Sequence, residues 1–391
     1  MTRILTSSLL VAALVATIPV PTFAQPQDPV VQLLEALTNA PGPSGFEGPV
    51  RDIVTGGLTE LGAAEILNDG LGSVIGRFDG PPDSPRVMVT AHMDEVGLLV
   101  QYIRPDGFIK FKTLGGWLDQ ALIDQRWVIN TSDGLVHGVS GIRTIHVTPG
   151  SERNQVWGRD SIFIDVGATS KTDAERMGIR PGDPIAPWSP FTILANDRYA
   201  AKAWDDRVGL GVMLEAMKRI QQRGVQLPST IYLVATVQEE IGLRGAATAV
   251  PLVNPDLGIS IEAGVSADYP GARQEQAQER LGGGPGIFLL DSSMLPNTKL
   301  RDFFFEVAAA EGITLQADVL TGYGQDGAEI QKFDTGRPVV NMTVPTRYLH
   351  SHTGIIDRRD FEGAVELLIA VLMRLDAETI AELSSFRPGD R

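Results

Sequence analysis

"STIYLVATVQEEIGLRGA", Ser229–Ala246, holds the two features that decide the fold. Its first half is an apolar, β-branched run and reads as a buried strand. Its second half sets two adjacent carboxylates, Glu239 and Glu240, at the end of that strand. Acids pressed against a core are costly unless something positive meets them. An arginine, a helix N-terminus or a metal ion could supply that charge.

Similar runs lie elsewhere in the chain. "RVMVTAHMD" (86–94), "DLGISIEAG" (256–264) and "RPVVNMTVP" (337–345) also read as buried strands. Helix-period segments separate them. These are 29–40, 47–62, a helix from about Asp206 to Gln222, 299–312, a start at 326–333, and 359–376. Strands alternating with helices imply a mostly parallel sheet sandwiched by helices, an α/β fold. The stretch 97–195 differs. "RWVINT", "GLVHGVS" and "SIFIDVG" are short strands broken by Gly, Pro and Asp turns. This pattern predicts a small β-barrel or sandwich inserted into the α/β domain. The expected division is therefore 25–96 with 196–391 as the catalytic domain, and 97–195 as the insert.

The 391 residues carry 33 basic and 48 acidic groups, a formal charge of −15. Such a surface repels phosphate backbones and excludes a nucleic-acid binder. There is no cysteine, so neither disulfides nor thiolate ligands are available. "MTR" followed by the apolar run 4–20 and Thr22-x-Ala24 reads as a signal peptide, residues 1–24. The expected mature protein is exported, periplasmic or secreted, with no membrane attachment.

Sites in open α/β sheets gather at the carboxyl ends of strands. His92 and Asp94 close one run, Glu239 and Glu240 another, and Glu262 a third. Asp205 stands just before a helix, where an Asp is ordinarily an N-cap. His350 follows a further strand, with His352 its competitor. His137 and His146 fall in the insert and read as surface or packing residues. Mixed histidine and carboxylate donors suit zinc, cobalt or manganese. Five such ligands exceed one tetrahedral site and fit two divalent ions that share a carboxylate. The Glu-Glu pair would then divide into one ligand and one free base beside activated water. In His92-x-Asp94, the acid would orient a ligand histidine.

"AHMDEVG", "KAWDDRVG", "VQEEIGLRGA" and "VPTRYLHS" occur in this order. As a set they resemble the motifs of the glutamyl/deblocking aminopeptidases, the tetrahedral aminopeptidases, which are di-metal exopeptidases. "LGGWLDQALIDQRWVI" and "DSIFIDVGATSKTDAERMGIRPGDPI" are similar to that family's inserted domain, and the likeness covers nearly the whole mature chain. It implies that His92 binds one metal, Asp205 bridges both, and Glu240 with His350 completes the other. Glu239 would be the general acid/base and Asp94 the partner of His92. The remaining ligand falls on Glu262, where the family usually has Asp. A second departure is Gln325 before Asp326, where Thr is common; Asp326 is expected to cap or orient a loop. His352 stands where Pro is common. The resemblance further implies peptide substrates with a free N-terminus and homo-oligomers, dimers through the insert and then a dodecamer. A related di-metal amidohydrolase or carboxypeptidase uses the same residues. A glycosidase would need two acids flanking a sugar and would leave His92 and His350 idle. A metal-binding module without turnover is the non-enzymatic alternative.

Overall fold

The four apolar runs form the middle of one sheet. In the computed structural model, which describes residues 28–386, Thr230–Thr236, Arg86–His92, Leu257–Val265 and Val339–Arg347 lie side by side in that order. All four are parallel. Strand Arg86–His92 is buried at every residue from Val87 onward, and Leu257–Val265 from its first residue to Gly264. Burial on both faces is why these strands are continuous apolar runs rather than alternating ones.

The flanks are antiparallel. Val74–Phe78 and Glu65–Asn68 extend one side. Gly354–Asp357, Arg198–Ala201 and Thr192–Ile193 extend the other. Gly286–Leu290 pairs antiparallel with Val339–Arg347 and carries Gln316–Val319 beside it. Among the described residues the sheet has eleven strands and is mixed, with a parallel centre.

Alternate residues of Arg86–His92 feed two different cores. Val87, Val89 and Ala91 pack with helices Pro29–Asn39, Trp204–Gln222 and Arg358–Leu372. Met88 packs with Arg244–Val253 and Gly327–Lys332 on the other face. The sheet is therefore covered on both sides, as the βα alternation requires. Among the described residues no helix is long and apolar enough to cross a membrane. The expected signal segment, 1–24, lies outside the described residues.

The insert is a closed barrel. Strands Gly97–Ile103, Ile109–Leu114, Phe163–Asp165, Gly134–Gly141, Arg126–Thr131 and Pro184–Pro187 follow one another around it. Leu98, Val100, Ile109, Trp127, Ile129, Ile164 and Ile185 fill it as a separate core. Its attachment matters for function. The chain leaves the main sheet at His92 and enters the barrel at Gly97, at the carboxyl end of the parallel strands. Trp127 of the barrel meets His352 edge-on, with ring centroids 4.8 Å apart.

Candidate active site

His92 is the last residue of its strand. Its Nδ1 is directed at the carbonyl oxygen of Asp94, 3.0 Å away. Nε2 is thus the nitrogen left for other partners. It faces Asp205 Oδ1 at 3.0 Å and Glu262 Oε2 at 3.6 Å. His350 follows Val339–Arg347 in a turn of positive φ (+52°). Its Nδ1 contacts the Gly116 carbonyl at 2.8 Å. Its Nε2 faces Asp205 Oδ2 at 3.4 Å and Glu240 Oε2 at 3.5 Å. Asp205 therefore turns one oxygen toward each histidine, and each histidine also faces one glutamate.

Two adjacent aspartates stand at a break near the start of helix Trp204–Gln222, both with non-helical backbone angles, and they do different things. Asp206 accepts from the backbone N–H of Gly209 at 3.1 Å and of His92 at 3.3 Å. The first contact is an N-cap interaction. Asp206 thereby does the capping that Asp205 would ordinarily do, and Asp205 is free to face the histidines. Donor atoms of His92, Asp206 and Glu262 also lie within 4.8 Å of one another, as do those of His92, Asp205 and Glu240. Asp206 is the weaker candidate ligand because both its oxygens already serve backbone N–H groups.

Glu239 and Glu240 do not sit on the strand itself. The strand ends at Thr236, and Gln238 at φ +56° turns the chain. Both glutamates lie in the turn that follows, so their carboxylates need not point opposite ways. Asp94 holds that turn. Its Oδ1 accepts from Glu239 N–H at 2.9 Å, and its Oδ2 from Glu240 N–H at 3.1 Å and from Ser44 Oγ at 2.6 Å. The His92 ring stands 3.6 Å from the Asp94 carboxylate, farther than from the Asp94 carbonyl. Asp94 thus joins the H-x-D motif to the Glu-Glu motif.

The cluster is rich in acid and buried. His92, Asp94, Asp205, Glu239 and Glu262 are each at most 8% exposed. Burial lifts the carboxyl of Glu240 to about 8 and that of Glu262 to about 7, against the opposing pull of His350 and His92 respectively. Burial also pushes Glu239 well above the usual carboxyl range, with Glu262, Asp326 and Glu240 adding to it. Burial disfavours charge on His350, yet Glu240 and Asp205 outweigh it and hold the ring up to about 10. Asp205 is held low: burial works against it, but His350 and His92 prevail. Oε1 of Glu240 and Oε1 of Glu262 are buried without a hydrogen-bond partner. Two imidazoles cannot balance this many carboxylates. The set fits divalent cations, which would displace the protons and satisfy the orphaned oxygens.

The cluster opens into a cavity of ≈ 460 Å³ lined in part by Glu239, Glu240, Tyr323 and His350. Asp326 lies near it. Its side chain makes no bond capping helix Gly327–Lys332; instead it accepts from Thr236 Oγ1. Burial lifts its carboxyl to about 6. His352 is outside the cluster, packed on Trp127 and 7% exposed. His137 lies at the surface against Trp188, with ring centroids 4.6 Å apart, and His146 is exposed.

Three contributors escape sequence reasoning. Gly115 and Gly116 come from the barrel. Gly116 orients His350, and Gly115 packs against Glu240, whose Oε2 would stand 3.1 Å from any Cβ added there. Tyr323 donates to Ala263 O at 3.0 Å and contacts Glu262 Oε2 at 3.2 Å. A Gly-Gly pair signals only a turn, and a lone Tyr signals nothing.

Known proteins share this fold. The chain is 37% identical over 350 residues to a lysyl aminopeptidase of Pyrococcus furiosus, covering 88% of this chain and 97% of that one. The crystal structure of a TET aminopeptidase from a marine sediment thaumarchaeote superposes with a TM-score of 0.88 at 41% identity, covering 91% and 99% of the two chains. The TET1 peptidase of Pyrococcus horikoshii, which can assemble into a tetrahedron or a large octahedral shell, gives 0.80 at 28% identity over 88% and 100%. Residues 72–367 match the family described as M42 glutamyl aminopeptidase, a span that takes in all the clustered side chains, and the chain belongs to that family.

Proposed function

We propose that this chain is a di-metal aminopeptidase that releases N-terminal residues from peptides. The observation that carries the reading is Asp205, one oxygen toward His92 and the other toward His350. His92, Asp205 and Glu262 would hold one divalent ion; Asp205, Glu240 and His350 would hold the other. Zinc or cobalt suits these donors best, with manganese an alternative. Such ions would supply Lewis acidity, lowering the pKa of water and polarising a carbonyl. Glu239 takes the proton of the attacking water and returns it to the leaving amine. Asp94 fixes the Glu239–Glu240 turn by accepting both backbone N–H groups, which keeps base and ligand in register. The acids around the cavity leave a place for the substrate's α-ammonium.

Homo-oligomerisation belongs to the same proposal. The Pyrococcus horikoshii relative assembles. Leu118, Ile145, Val147 and Val156 of the insert are 61–71% exposed, apolar side chains that dimerisation would cover, with a dodecamer as the larger assembly. Export rests on the apolar run 4–20 alone.

The test is hydrolysis of amino-acid p-nitroanilides, free or acetylated at the N-terminus, after chelation and after adding zinc, cobalt or manganese. Cleavage of free-amine substrates only, lost on chelation and restored by metal, is the expected result. Equal cleavage of acetylated substrates would overturn the exopeptidase reading.

A further inference from the structure

We infer that the cavity over this cluster selects an uncharged, apolar N-terminal side chain. The inference rests on the aminopeptidase reading and deepens it. The charged lining is Asp205, Glu239, Glu240 and His350, the groups already assigned to the metals and the proton transfer. The rest of the lining is Leu243, Val265, Tyr323 and Leu349, with glycines between. The Tyr323 hydroxyl is already engaged by Ala263 O at 3.0 Å and Glu262 at 3.2 Å, so its ring is what remains for a ligand.

Among the described residues no lysine or arginine lines the cavity. Neighbouring charges are spent elsewhere. Asp268, three residues past Val265, is closed on Arg347 at 2.6 and 2.7 Å, and Arg347 is the base two residues before Leu349. Arg244, next to Leu243, is exposed and turned toward Gln238 Oε1 at 3.5 Å. A glutamate side chain would therefore be desolvated among carboxylates without a counter-charge. A lysine would press its ammonium against leucine, valine and tyrosine with no acid of its own. Both cost more than an apolar side chain. Family membership does not decide the matter, since the family is named for glutamate and one relative for lysine.

The test compares kcat/KM of the metal-loaded protein on the p-nitroanilides of Leu, Met, Glu and Lys. A parallel titration measures binding of leucinamide, lysinamide and glutamic acid α-amide. Leu and Met should exceed Glu and Lys by about tenfold or more. Val265→Arg should raise the Glu-to-Leu ratio about tenfold, and Leu349→Lys serves where that variant does not fold. Glu or Lys substrates cleaved as well as Leu would overturn the inference while leaving the aminopeptidase reading standing. Silence in hydrolysis, with leucinamide still bound about tenfold tighter than the charged amides, would sink the aminopeptidase and keep the pocket. Silence with no preference among the amides would overturn the pocket as well.

Discussion

Gly115→Ala tests whether the barrel is part of the active site. Gly115 lies at φ +78°, where a side chain is strained. Placing alanine in a left-handed conformation costs about 1–2 kcal/mol. The new Cβ would also stand 2.7 Å from Val96 Cγ1 and 3.1 Å from Glu240 Oε2. Val96 is buried, so it yields only by leaving its rotamer, at about 0.5–1.5 kcal/mol. The sum is about 1.5–3.5 kcal/mol. With an unfolding entropy of roughly 2.1 cal/mol/K per residue over ~360 residues, melting should fall by about 2–5 °C. Gly62→Ala is the control. Gly62 has φ +66° and open space around it, so that variant bears the backbone cost alone. The two variants separate on metal. Displacing Glu240 should weaken one of two binding events about 10–100-fold in a chelator competition, and leave the other unchanged. Gly62→Ala should change neither. If Gly115→Ala melts with Gly62→Ala and holds both ions like the parent, the barrel is only an attachment and the reasoning is wrong.

Glu239→Gln keeps the volume and the backbone bond to Asp94, so metal content should hold while kcat drops about 10²–10⁴-fold; a variant of parental activity would remove Glu239 from the chemistry. Asp94→Asn retains one acceptor for two backbone N–H groups, which should cost about 1–3 kcal/mol in denaturant unfolding and lower kcat/KM. Unchanged values in both assays would mean that the Glu239–Glu240 turn stands without it. Divalent ion at about 100 times its dissociation constant should stabilise the fold by about 2.7 kcal/mol, read as a rise in melting temperature that chelator abolishes; no rise would argue against a built metal site. His352 is held neutral, its pKa lowered to about 4 by burial against an ordinary 6.5. The unfolded chain takes up that proton first, so stability should fall as pH drops from about 6.5 to about 4, by about 3 kcal/mol from this group. His352→Phe keeps a ring against Trp127 and should flatten that part of the profile; parallel losses in both proteins would assign the acid sensitivity elsewhere.

The sequence exposes strands better than it exposes partnerships, and Asp94 shows why. The run 86–92 is readable because burial on both faces demands uninterrupted apolar residues, and its polar end is readable because the run stops. What Asp94 then does depends on a second strand that begins well over a hundred residues later. Local spacing ties it to His92, two residues back. The fold ties its carboxylate to the backbone of Glu239 and Glu240, because Thr230–Thr236 is the parallel neighbour of Arg86–His92 with Thr236 in register with His92. That register is itself a product of burial: slipping it by one residue would turn each buried side chain to the opposite face. The same logic separates Asp205 from Asp206. They are chemically identical and adjacent, and only the N–H of Gly209 and of His92 decides which acid is consumed and which is free. It also explains why Gly116 is invisible beforehand: its carbonyl serves His350 across 234 residues, and a carbonyl leaves no trace in composition or periodicity. Charged side chains gathered at strand ends therefore announce themselves in the sequence, as the lone Tyr323 does not. The backbone groups and the choice between like neighbours that set their geometry are written only in the packing.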